Sequence, residues 1–204
     1  MIVMAIPTGR VLDASLAFLS ACNMRVPPEI GSSRKLQLDS GDGRYRFVLV
    51  KPADIPTYVE YGVADSGICG TDVLHEQSPD VHQPLDLQFG RCRMVVAGRP
   101  DSIGRPGLRV ATKYPSTTEK FFHQRGEAVE VIPLSGSVEL APALGLADRI
   151  VDLVETGNTL RDNGLVVLEE IMQCTARLII NRASFHTKQD EIRRLVASME
   201  GQLK

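Results

Sequence analysis

Short apolar runs alternate with polar, glycine-bearing turns along the whole chain, and the period of the pattern switches between strand and helix. Residues 2–6, Ile-Val-Met-Ala-Ile, read as a buried strand, Pro7-Thr8-Gly9-Arg10 as a turn, and Leu12, Leu16 and Leu19 share one helical face. Runs at 36–38 and 45–50 flank Asp39-Ser40-Gly41-Asp42-Gly43, a strong turn signal, and predict a β-hairpin. Asp54 is placed to cap a short helix with Pro56 in its first turn and Gly62 just past its end. A strand and turn follow at 64–72, and residues 85–89 and 92–97 predict two strands joined through Gly90-Arg91. Residues 98–107 turn to Gly, Pro, Arg, Asp and Ser, which marks a surface loop.

Beyond that loop the alternation resumes. Residues 108–111, 128–134, 150–154, 166–171 and 176–181 predict strands. Ser116-Thr117-Thr118-Glu119 has capping-box spacing and predicts a helix to about Gly126, and Ser137 marks another helix start. Ile192, Leu195, Val196 and Met199 lie on one face of a last amphipathic helix. Strands alternating with helices predict an α/β architecture with mainly parallel sheets, in two lobes on either side of the 98–107 loop.

Composition narrows the function classes. The 204 residues are 43% hydrophobic and 24% charged, with a formal net charge of -2. That excludes a globally basic nucleic-acid binder, so an anionic ligand must be held by local basic residues. Cys22, Cys69, Cys92 and Cys174 are scattered without a C-x-x-C pair, which predicts reduced, buried thiols rather than a zinc site or a disulfide framework. No basic leader precedes Pro7 and no apolar run reaches membrane length, so a cytoplasmic protein is expected.

The chemistry concentrates at strand-to-helix turns, because ligands of open α/β sheets bind outside the carboxyl ends of strands. Residues 150–160 place Asp152 on an apolar strand just before Glu155-Thr156-Gly157-Asn158-Thr159, whose backbone N–H groups and hydroxyls suit a phosphate. Arg10, Arg34, Lys51, Arg91, Arg93 and Lys113 stand near turns or strand ends and could each neutralise a phosphate or simply face solvent. Gly67, Ile68, Cys69 and Gly70 form a stretch where backbone approaches closely; Cys69 has no base beside it and reads as an inert thiol. His75, His82, His123 and His186 lack metal-ligand spacing and read as surface residues.

The chain resembles the ATP phosphoribosyltransferase family. Glu139, Gly145-Leu146-Ala147, Ile150-Val151-Asp152-Leu153 and Thr156-Gly157-Asn158-Thr159-Leu160 look like that family's signature from end to end. The likeness extends to Ser33-Arg34-Lys35-Leu36, Tyr58 through Asp65, Gly67 through Asp72, Ala111 through Pro115 and Asn181-Arg182-Ala183-Ser184. Thr8 departs from it, standing where the family often has lysine, so a cationic contact at that turn rests on Arg10.

The resemblance implies two α/β lobes like those of type II periplasmic binding proteins, with the active site in the cleft between them. Lobe I would comprise 1–93 and 175–204, and lobe II 94–174 with the phosphoribosyl pyrophosphate loop. It implies condensation of ATP with phosphoribosyl pyrophosphate to N1-(5-phosphoribosyl)-ATP and pyrophosphate, the first step of histidine biosynthesis, with Mg2+ carried by substrate phosphates rather than by side chains. On this reading Asp152 accepts from the ribose hydroxyls, Thr156, Gly157, Asn158 and Thr159 hold the 5-phosphate, and Glu155 either assists or is solvated. Arg10, Arg34, Lys51, Arg93 and Lys113 would face ATP and pyrophosphate, and the backbone of Gly67, Ile68, Cys69 and Gly70 would line the nucleotide pocket. The chain's end soon after its last helix suggests the short form of the enzyme, which implies a hetero-oligomer with a regulatory subunit resembling histidyl-tRNA synthetase, and a dimer of the catalytic chain. The rival expectations are a non-catalytic ligand-binding protein or sensor domain of the same architecture, and a phosphoribosyltransferase acting on another base.

Overall fold

The structure, a computed structural model, describes residues 1–32, 34–101 and 107–203. Ser33, the 102–106 part of the expected surface loop, and Lys204 lie outside the described residues. The chain divides into two compact units, Met1–Gly90 with Thr175–Lys204, and Arg91–Cys174.

In chain order the first stretch runs β1 (Ile2–Pro7), α1 (Leu12–Ala21), β2 (Gln37–Asp39), β3 (Tyr45–Val50), a 3-10 turn at Pro52–Asp54, α2 (Ile55–Glu60), β4 (Ser66–Gly70), α3 (Thr71–Gln77) and β5 (His82–Asp86). The second unit holds β6 (Cys92–Gly98), β7 (Leu108–Thr112), α4 (Pro115–Gln124), β8 (Val129–Pro133), α5 (Leu140–Ala143), β9 (Arg149–Val154), α6 (Asn158–Asp162) and β10 (Val166–Cys174). β11 (Ala176–Ile180), α7 (Arg182–Thr187) and α8 (Gln189–Glu200) return the chain to the first unit.

Each unit is built on its own sheet, with strand order β2-β3-β1-β4-β11-β5 in the first and β10-β6-β9-β7-β8 in the second. Both sheets are mixed, which corrects the expectation of mainly parallel pairing. β1 runs parallel to β3 and β4, and β7 to β8 and β9. The hairpin partner β2 and the returning strand β11 pair antiparallel, as does β6 with both β9 and β10. Alternate residues of β1 serve opposite faces: Ile2, Met4 and Ile6 join a core with Phe47, Leu19 and Leu195, and Ala5 joins one with Ile55, Val59 and Leu74. A strand covered on both faces reads as a continuous apolar run. The second sheet is likewise packed on both faces, with Val95, Ala97 and Ile150 in one cluster and Met94, Val96 and Val151 in the other.

Several local readings shift for identifiable reasons. β5 begins at His82, earlier than expected, and it lies in a different sheet from β6. Gln88 and Gly90 adopt positive φ and break the strand between them. The first passage between units falls at Gly90–Arg91, so Arg93 belongs to β6 of the second. α4 starts at Pro115, before the capping-box serine, since proline's missing N–H costs nothing at a first helical position. Asp54 stands at the α2 N-cap without a side-chain cap bond. Ser137 takes φ 47, so α5 starts only at Leu140. α7, which periodicity did not reveal, is capped by Asn181, whose Oδ1 accepts from the Ser184 N–H at 2.8 Å. No described helix is long and apolar enough to cross a membrane.

Candidate active site

Asp152 is held by the second sheet. It lies on β9 opposite Val95 of β6, half-buried, and its Oδ1 accepts from the Leu153 N–H at 2.8 Å. The neighbouring strand β7 ends alongside, with Thr112 in register with Val151. The buried Thr112 hydroxyl donates to the Val151 carbonyl at 2.8 Å and accepts from the Tyr114 N–H at 2.9 Å. Those two bonds fix the β7 end, and exposed Lys113 follows it. Burial pushes the Asp152 carboxyl above its ordinary value; the Leu153 N–H and Lys113 pull it down, and Glu139 pushes it up again. Glu139, at the α5 N-cap, is therefore an acid within electrostatic reach of the candidate catalytic acid, a relation visible only in the fold.

The loop after β9 presents exposed polar groups on a fixed backbone. Gly157 takes φ 81, a left-handed conformation that glycine adopts without steric cost, and becomes the N-cap of α6. The Thr156 hydroxyl accepts a long bond, 3.5 Å, from the Asn158 N–H, and Arg161 donates to the Asn158 side chain. Leu160 is buried and anchors the short helix in the core beneath. Glu155, Thr156, Asn158 and Thr159 face solvent. First-turn N–H groups of a helix have no intrahelical acceptor, so this end of the second sheet combines donors, hydroxyls, Lys113 and one half-buried acid.

The remaining predicted residues separate by environment. In the first unit, exposed Arg10 follows β1, donating to the Gly90 carbonyl at 3.5 Å, and exposed Lys51 follows β3. Arg34 is exposed and precedes β2. Arg93, in the second unit, forms an ion pair with Glu170 at 3.1 Å. Ile68 and Cys69 are core side chains on opposite faces of the first sheet, and burial drives the Cys69 thiol well above its ordinary value. Gly67 is needed for packing: an added Cβ would come within 2.9 Å of Ile55 Cγ2 and 3.0 Å of Val59 Cγ2. Gly70 ends β4, its Cα face covered by the Asp72 carboxylate. β1 and β4 pair only at Met4–Ser66 and Ala5–Gly67, whereas β1 and β3 stay paired from Ile2 to Pro7. The two strands therefore part toward their carboxyl ends, where Thr8-Gly9-Arg10 and Gly70 lie.

Two motif segments that carry no predicted chemistry meet in a structural network. Asp65 Oδ2 accepts from the Val3 N–H at 2.8 Å and from Lys188 Nζ at 2.7 Å, and its Oδ1 accepts from the Ser184 hydroxyl at 2.6 Å. Asn181 Nδ2 donates to the Val59 carbonyl at 2.8 Å, which ties α2 to α7. His82 is only partly a surface residue, since its ring lies 4.6 Å from that of Phe185. Among the described residues no group of three or more His, Cys, Asp or Glu is arranged to hold a metal ion.

A family model described as HisG, ATP phosphoribosyltransferase, matches residues 51–201. The ATP phosphoribosyltransferase of Syntrophotalea carbinolica is 48% identical over 206 residues, covering 98% of this chain and 94% of its own length. That of Geobacillus kaustophilus is 50% identical over 197 residues, covering 96% and 95%. A solved chain of the ATP phosphoribosyl transferase (HisG:HisZ) complex from Thermotoga maritima matches with a TM-score of 0.86 at 35% identity, over 98% of both chains. The periplasmic VFT2 domain of Bordetella pertussis BvgS shares the fold, with a TM-score of 0.61 at 14% identity over 100% of this chain and 88% of that one. With the family pattern running through Glu139, Asp152 and the loop to Leu160, and with likeness over nearly its whole length, the chain belongs to the ATP phosphoribosyltransferase family.

Proposed function

We infer that this protein is a cytoplasmic ATP phosphoribosyltransferase, condensing ATP with phosphoribosyl pyrophosphate to N1-(5-phosphoribosyl)-ATP and pyrophosphate at the start of histidine biosynthesis. The reading is carried by identity of about half the residues, end to end, with relatives bearing that name. The geometry around Asp152 supplies the chemistry. Adenine N1 is the nucleophile and pyrophosphate the leaving group, so the C1–N1 bond forms as the C1–oxygen bond breaks, with no protein nucleophile. The buried thiol of Cys69 is unsuited to that role in any case.

In this assignment the chain of 94–174 carries the phosphoribosyl pyrophosphate loop. Ionised Asp152 accepts from the ribose hydroxyls, and the donors of Thr156, Gly157, Asn158 and Thr159 hold the 5-phosphate. Fixing the sugar in this way aligns C1 for attack and removes orientational freedom before the reaction. Burial raises the Asp152 carboxyl, and the Leu153 N–H and Lys113 offset part of that rise. Arg10, Arg34, Lys51 and Arg93 oppose the triphosphate and pyrophosphate, Arg93 after exchanging Glu170 for a phosphate. Of the Gly67 to Gly70 stretch, only backbone atoms line the nucleotide pocket, since the side chains of Ile68 and Cys69 serve the core. Mg2+ would be held by the substrate phosphates rather than by side chains, and would offset their negative charge.

A regulatory subunit joins the chain in a hetero-oligomer, as in the HisG:HisZ complex to which it is similar. Incubation with ATP, phosphoribosyl pyrophosphate and Mg2+, with and without that subunit, should release pyrophosphate in step with phosphoribosyl-ATP. Binding of both substrates without pyrophosphate release in either arm would leave a ligand-binding protein instead.

A further inference from the structure

β6 and β10 pair antiparallel with Cys92 directly opposite Cys174. Residues opposite each other in such a ladder have Cα atoms about 4.5–5.5 Å apart and side chains on the same face. A disulfide needs a Cα separation of about 4.4–6.8 Å, so the backbone is already in position for one. Both thiols belong to one buried cluster with Met94 and Phe122. The pair also has a particular place in the chain: the second unit begins at Arg91 and ends at Cys174, so the two cysteines stand at its entry and its exit. The adjoining position, Arg93, pairs with Gln173 on one side and with Val154 on the other, and Val154 is where β9 gives way to the loop of residues 155–159. The other two cysteines are not so arranged, since Cys22 and Cys69 lie in separate cores of the first unit.

We propose that Cys92 and Cys174 form a redox-active dithiol, oxidised to a cross-strand disulfide by a low-molecular-weight disulfide. The Cys92 thiolate, 8% exposed against 2% for Cys174, attacks one sulfur of the small disulfide and expels a thiolate that takes up a proton. The Cys174 thiolate then attacks the Cys92 sulfur of the mixed disulfide and expels the second small thiol. Two protein thiols are oxidised to one disulfide as the small disulfide is reduced to two thiols. The bond closes a loop on the order of 80 residues, joining the first and last strands of the unit at its boundary.

The test equilibrates the native full-length chain in buffers of graded reduced-to-oxidised glutathione ratio, followed by acid quenching and mass spectrometry. A single transition that lowers the intact mass by about 2 Da is expected, with non-reducing peptide maps joining the Cys92 peptide to the Cys174 peptide. Cys92→Ser and Cys174→Ser should each abolish the transition, and Cys22→Ser and Cys69→Ser should retain it. Four thiols persisting across the series, a glutathione adduct on Cys92 that Cys174 never displaces, or a linkage through Cys22 or Cys69 would each overturn the proposal. The wild-type mass alone decides the matter if a serine variant fails to fold.

Discussion

At the scale of single residues, the ribose-binding role proposed for Asp152 comes with a local cost. Its carboxyl is held above its ordinary value chiefly by burial, so the folded state favours the protonated form and the acid contributes stability that is lost as pH rises through its raised value. Asp152→Asn should therefore increase the melting temperature at neutral pH while lowering turnover on the order of 100-fold, the usual scale for losing one charge-stabilising group. Stability and pyrophosphate-release assays on the same preparation check both halves. The acid limb of the wild-type rate profile should also sit above the ordinary aspartate range. Gly157→Ala forces an L side chain to φ 81, costing about 1–2 kcal/mol. Its KM for phosphoribosyl pyrophosphate should rise more than its KM for ATP, as should that of Thr159→Val. The acid and the Thr-Gly-Asn-Thr loop were legible in sequence because strand, acid and glycine turn are contiguous. The influence of Glu139 was not, because twelve intervening residues fold it back toward Asp152.

At the scale of elements, the fold depends on contacts between segments distant in sequence. Burial alone would raise the Asp65 carboxyl, but the Lys188 ammonium, the Ser184 hydroxyl and the Val3 N–H outweigh it and hold the group below its ordinary value. Its contribution is present above the ordinary aspartate range and is lost as pH falls through the depressed value. Asp65→Asn should cost about 2–3 kcal/mol, less than a fully buried pair because Lys188 is partly exposed. Urea denaturation from pH 7 downward should show the variant with a flatter acid limb. Gly67→Ala should cost about 1–3 kcal/mol through overpacking against α2, measurable as a shift in denaturation midpoint at unchanged slope. Periodicity located most strands because a two-faced core writes continuous apolar runs. Periodicity set no helix starts, and the capping signals at Ser116 and Ser137 misplaced them, since Pro115 and the left-handed Ser137 decide those boundaries. Periodicity also missed α7, whose signal is the Asn181 cap rather than an apolar stripe.

At the scale of the whole molecule, two units each enclose cores on both faces of their own sheet. Saturating phosphoribosyl pyrophosphate should slow amide exchange chiefly at residues 149–165, because the loop and its supporting strand gain a bound anion. Mass-resolved exchange with ATP alone should leave that segment unchanged. The sequence by itself determined the α/β class, the family and the loop that follows Asp152, because these are written in neighbouring residues and their spacing. Tertiary structure decided the mixed direction of the strands, the passage of the chain between units, the burial of Ile68 and Cys69 and the pairing of Arg93 with Glu170. It also set Cys92 opposite Cys174, where the sequence showed only scattered thiols. Strand direction and cross-strand register depend on partners far apart in the chain, and local pattern carries no record of which distant strand lies alongside.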